Sequence, residues 1–119
     1  MKIWKIPAIA TDAITAGHYI YVDVDTLQDV TTAAATTVIT GLGWTLTATF
    51  DGSTAQKLAN TALFADYIMA KILPYKTFPG NRGNAAESVF NLWAGLDYAG
   101  IIADIGIPTA DGFVTLALS

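Results

Sequence analysis

The chain has no cysteine, and among its 119 residues it has one histidine, His18, one glutamate, Glu87, and one arginine, Arg82. Without cysteine there is no disulfide framework, no thiolate zinc site and no thiol nucleophile. General acid–base chemistry draws heavily on His and Glu, so their scarcity argues against an enzyme. Asp, Glu, Lys and Arg together make up 13% of the residues, against about 25% in an ordinary globular domain. The six basic residues are scattered singly. A nucleic-acid partner calls for a basic stripe, so none is expected. A run of about 18 apolar residues would suggest a membrane span, and none exists. The best stretch, 62–73, is broken by Asp66 and Lys71 and ends at Pro74. Near the start, Pro7 and Asp12 interrupt any signal-peptide core. A soluble chain without a standard export signal is expected.

What is present is apolar. Hydrophobic residues make up 53% of the chain. A domain of this size leaves much of its surface exposed after folding, and this one has little charge to dress it. The composition therefore predicts a single-domain subunit (1–119) that buries part of its surface against protein neighbours, as a homo-oligomer or within a larger assembly.

The local pattern predicts an α+β fold. Residues 3–9 read as a strand with Trp4, Ile6 and Ala8 on one face. Pro7 lacks an N–H and should place that strand at an edge or end it early. Residues 10–18 read as a loop. Residues 19–25 alternate, with Ile20, Val22 and Val24 facing one way and Tyr19, Tyr21, Asp23 and Asp25 the other. A short strand at 36–40 and the Gly41-Leu42-Gly43 turn lead to 44–50. There Trp44, Leu46, Ala48 and Phe50 oppose a ladder of Thr45, Thr47 and Thr49, and the two strands form a hairpin. Together 2–50 form an antiparallel β-meander.

Ser53-Thr54-Ala55-Gln56 matches a capping box and opens a main amphipathic helix over 53–73, stopped by Pro74. Leu58, Ala62, Ala65, Met69 and Ile72 form the stripe expected to lie on the sheet. Phe64, Tyr67 and Ile68 then fall on the side that should be wet. Three readings follow: the C-terminal segment folds over them, they contact another subunit, or they are exposed without consequence. In the second case, aspartate at Phe64 or Tyr67 would abolish assembly and leave the fold intact. Within the segment 76–119, Asn84 to Glu87 could cap a second, short helix. Val89, Leu92, Trp93 and Leu96 recur along it at helical spacing. Phe113–Leu118 reads as a final strand, which must pair with the sheet or with another molecule.

No catalytic constellation emerges. Asp23 and Asp25 share a strand face, with Asp29 near, and form the one weak candidate for a cation; the glycine and later glutamate of a calcium loop are missing. An enzyme would have to use Asp23, Asp25 and His18. Ser53 is a cap, and Ser88 sits in no nucleophile-elbow context. Asn81-Arg82-Gly83-Asn84 could hold an anion at a helix start but reads first as a turn. Trp44 and Trp93 read as core, and Trp4 is the residue that could stack on an apolar or carbohydrate ligand. No cofactor is expected. The candidate interface residues are Trp4, Phe64, Tyr67, Ile68, Phe78, Arg82, Phe113 and Leu118.

The run of Ile-Pro strand, Tyr-Ile-Tyr-Val-Asp-Val strand, Thr-Thr-Val-Ile-Thr strand, Trp-Thr-Leu-Thr-Ala-Thr-Phe strand and Ala-rich helix, about residues 2–73, resembles small β-meander-plus-helix proteins of tailed bacteriophages. Several of these are virion structural or head-decoration proteins. The resemblance implies a mechanical role in a virion, bridging the subunits of a capsid lattice as a cement protein does. It supplies no site motif, so no functional residue is carried over from it. The alternative reading is a small binding module; outside a virion the chain would be cytoplasmic.

Overall fold

The computed structural model describes residues 2–10, 13–77, 89–108 and 112–119. It has an α+β fold, with an antiparallel sheet packed against one main helix. The strands are β1 (Ile3–Ala10), β2 (Ala13–Asp23), β3 (Leu27–Thr32), β4 (Thr36–Gly41), β5 (Trp44–Phe50), β6 (Val89–Phe90) and β7 (Phe113–Leu118). The helices are α1 (Thr54–Tyr67), a π-helical turn at Ile68–Ile72, α2 (Leu73–Thr77) and α3 (Tyr98–Ile105). The strand order is β2-β1-β7-β5-β4-β3, antiparallel at every step. The two-residue β6 adds in parallel beside Ile3 and Trp4 of β1.

The last strand occupies the middle of the sheet. β7 pairs with β5 over Leu46↔Leu118 to Phe50↔Phe113, and with β1 at Ile9 and Ala10. It thereby joins the β1–β2 hairpin to the β3–β4–β5 meander. On one side β7 pairs with β5 along nearly its whole length; on the other, Thr115 and Leu116 meet the end of β1.

Alternation places the core. Trp4, Ile6, Ile20, Val22, Ile39, Leu46, Ala48 and Phe50 are all buried on one face. Pro7 does not lie at the edge of the sheet. It lies where the β1–β2 register shifts, between Pro7 and Ile9, as suits a residue with no N–H to give. The shift also resets the phase: Ile9, not Ala8, is the next buried side chain. Residues 13–18, expected as loop, belong to β2; Gly17 there has φ +76°, and His18 is exposed.

The main helix begins as the sequence requires. Ser53 Oγ accepts from Gln56 N at 3.3 Å, and Gln56 Oε1 accepts from Ser53 N at 2.7 Å. It does not stop at Pro74. A wider turn intervenes, in which Leu73 N–H bonds the Ile68 carbonyl, five residues back. This π turn precedes the proline, whose missing N–H and bulky ring strain an ordinary α-helical ladder. It also retards the winding by about one residue, or about 100°, and swings Ile72 onto the buried side.

The helix meets the sheet with the opposite face from the one expected. Asn60, Thr61, Phe64, Tyr67 and Ile68 are buried, and of the expected stripe Ile72 is buried with them. Leu58 and Met69 are exposed at 58% and 53%. Both stripes have helical spacing, but the aromatic one removes more apolar area from water. Phe64 packs edge-on against Phe113 at 5.1 Å and near Phe50 at 6.1 Å. The polar members are satisfied too: Thr37 Oγ1 donates to the Thr61 carbonyl at 3.0 Å, and Thr61 Oγ1 to the Leu58 carbonyl at 2.7 Å. The C-terminal segment closes the layer with Ile101, Ile102 and Ile105 of α3. The second short helix thus lies later in the chain than the pattern predicts, and the Asn84–Glu87 cap expected for it lies outside the described residues. The helical recurrence of Val89, Leu92, Trp93 and Leu96 instead resolves into β6 and the turn after it.

Candidate functional site

The carboxylates at the end of β2 serve the backbone. Asp23 Oδ1 accepts from Asp25 N at 3.0 Å and so caps the 3-10 turn Val24–Thr26; the Asp23 carbonyl accepts from Thr26 Oγ1 at 2.8 Å. Asp25 pairs with Lys2 Nζ at 3.6 Å, a partly exposed contact of about 0–1 kcal/mol. Among the described residues, no three His, Cys, Asp or Glu side chains converge as metal ligands, so His18, Asp23 and Asp25 do not form one cluster.

The aromatic candidates lie inside. Trp4 is 1% exposed and packs on Trp93, ring centroids 5.4 Å apart; Trp93 stacks on Tyr67 at 6.0 Å. Among the described residues, neither indole N–H meets an acceptor at hydrogen-bonding geometry. Trp44 is half-buried, folded over Gly41, where a Cβ would collide with its ring. Its Nε1 donates to Thr26 Oγ1 at 2.8 Å.

Of the interface candidates, Phe64, Tyr67, Ile68 and Phe113 are therefore corrected to core, as is Trp4. The C-terminal segment does fold over the aromatic side of the helix, and the β7 position draws Phe113 inward. Leu118 remains exposed at 44%. Phe78 and Arg82 lie outside the described residues.

Tyr67 is the buried group with the largest electrostatic consequence. Its hydroxyl donates to Asp104 Oδ2 at 2.7 Å. Burial first, then the bond to Asp104 and the charge of that carboxylate, hold the phenol well above its ordinary range; the nearby Trp93 indole N–H opposes this weakly. The folded chain thus keeps this proton more tightly than the unfolded chain, whose tyrosines ionise near pH ~10. Stability from this source is complete below that pH and falls as pH rises above it. In urea titrations across the alkaline range, the unfolding midpoint should fall less steeply for Tyr67→Phe than for the parent.

The surfaces that stay open are more telling. The helix covers one face of the sheet; across β3, β4, β5 and β7 the other face carries no layer among the described residues. The registers align its side chains in rows: Thr36, Thr49 and Thr115; Thr31, Val38, Thr47 and Ala117; Asp29, Thr40 and Thr45. Asp29 is the only ionisable side chain in these rows. At the β1–β2 end, Tyr19 and Tyr21 are exposed at 48% and 53%, and Lys5 Nζ sits 4.1 Å above the Tyr19 ring. On the opposite layer α1 exposes Leu58 and Leu63, and the π turn that follows it exposes Met69. The threonine ladder of β5 was legible in the sequence. Its continuation onto β7 was not, because it depends on a pairing between residues far apart in the chain.

No family model, curated protein or solved structure matches the chain. The class is therefore set by the architecture alone: an α+β protein with a mainly antiparallel sheet and one main helix. No helix among the described residues is long and apolar enough to cross a membrane.

Proposed function

We propose that the chain is a structural assembly subunit, a virion component such as a capsid decoration protein, that works by protein–protein contact and not by catalysis. The observation that carries this reading is the uncovered sheet face. Its rows of Thr, Val and Ala, with Asp29 the one charge among them, offer area that can be buried while stripping water from few charges, the costly part of forming an interface. Threonine hydroxyls keep the same face wettable before assembly. The exposed leucines of α1 and Met69 of the π turn give the opposite layer a second adherent surface, as a subunit bridging neighbours requires. The competing reading, a module binding an apolar or carbohydrate ligand at Trp4, loses its anchor because that indole is enclosed by protein.

The test is to charge the face. Val38 and Thr47 are cross-strand partners on it, both only half-buried, where lysine stems can lie flat and hold their ammonium groups in water. The double variant Val38→Lys/Thr47→Lys should fold, with a melting temperature within a few degrees of the parent, and should lose the higher-mass species in size exclusion with light scattering. Undiminished assembly by a folded double variant would remove the sheet face from the interface.

A further inference from the structure

We propose that the exposed face of α1 pairs with the same face of a second copy, the two helices lying antiparallel about a two-fold axis. This rests on the reading of the chain as an assembly subunit and names the partner at one of its surfaces. The starting observation is the inversion of the helix. Leu58, Leu63 and Met69 are exposed at 58%, 37% and 53%, although the sheet could have covered Leu58 and Met69.

The outward positions between them have a definite geometry. Ala55, Ala59, Ala62, Asp66 and Met69 follow one another at alternating four- and three-residue intervals and are all exposed. This is the seam spacing of a two-helix coiled coil. Alanine along the seam lets two helices approach at the short end of the usual 8–10 Å range.

Charge selects the partner and the register. Asp66 is the only ionisable residue of the seam, and the first turn of α1 contains no acidic residue. An antiparallel copy can set Asp66 beside the second copy's Ala55, next to its helix N-terminus, where the partial positive charge of the helix favours a carboxylate. The same register places Ala59 against Ala62 of the second copy, sets the two Leu58 side chains along one side of the seam and the two Leu63 side chains along the other, and carries Met69 over the Gly52–Ser53 cap. Every contact recurs by symmetry, as an isologous interface demands. Sliding the pair by one heptad toward the helix C-termini would bring both aspartates to the alanine centre, away from either N-terminus.

The absence of native cysteine makes the register directly readable. Chains carrying Ala59→Cys and Ala62→Cys, both at exposed helix positions, are mixed and oxidised with diamide. The linked peptides are then identified by mass. The expected result is a mixed disulfide between positions 59 and 62 that exceeds both homodimers and is lost when Asp66→Lys is added to each chain. Leu42→Cys, exposed on the β4–β5 turn, gives the background. Cross-linking no greater than that background overturns the helix pairing. If the parent still forms multimers that the sheet-face lysines abolish, the assembly reading survives without it. If the parent is monomeric throughout, both fall together.

Discussion

Aspartate at Phe64 is expected to unfold the protein rather than to dissociate it. The side chain is fully buried and touches Phe113 and Phe50 from the centre of the helix–sheet interface. Truncating such a phenylalanine costs about 3–5 kcal/mol. A carboxylate in the same place adds the penalty of a buried charge without a partner. Domains of this size are stable by only about 5–15 kcal/mol, so little or no cooperative unfolding transition should remain. Leu58→Asp supplies the contrast. It introduces the same charge on the same helix at an exposed position, and at concentrations too low for assembly its effect on the stability of the single folded chain should stay within about 0.5 kcal/mol. Circular dichroism melts of the two variants separate the core face from the open face. A folded Phe64→Asp protein would mean that the helix is turned the other way.

Trp4→Ala should have an effect of the same order. Trp4 is cross-strand from Val22, parallel-paired beside Phe90 and packed on Trp93. It therefore ties the β1–β2 hairpin to the chain after β6. Loss of a buried tryptophan costs about 3–5 kcal/mol, which for a chain of about 100 residues lowers the melting temperature by more than about 10 °C. A tryptophan held for a ligand would behave differently, its removal abolishing binding while leaving the melt nearly unchanged. The size of the shift in the thermal melt decides between the two roles.

These two residues also mark where the sequence was legible. Local patterns survive folding. The phase of β5 places Leu46, Ala48 and Phe50 inside and the threonines outside, as alternation requires, and the Ser53–Gln56 box forms because its partners are three residues apart. The helix face was not decidable locally. Two stripes of similar spacing compete for one sheet, and the winner depends on Phe113, Trp93 and Asp104, which arrive from far along the chain. Pro74 misled for a related reason: a π turn absorbs it, and the turn is favoured by the burial of Ile72. Trp93 is core, as its pattern implies, but it sits in the turn after β6 and not on a helical stripe. The position of β7 between β1 and β5 was invisible, since no local rule names the partners of a strand. The open surface was thus only half legible. Its threonines follow from alternation, whereas Leu58 and Met69 carry a core pattern yet stay open, and the pattern alone leaves the aromatic side of the helix divided between cover by the C-terminal segment and an interface.

Absolute mass by light scattering after size exclusion, over a concentration series of the parent chain, tests the assembly reading most directly. The expected result is a species that is a multiple of the 12.5 kDa chain and gains population as concentration rises. A mass of one chain at every concentration would contradict self-assembly through either open face.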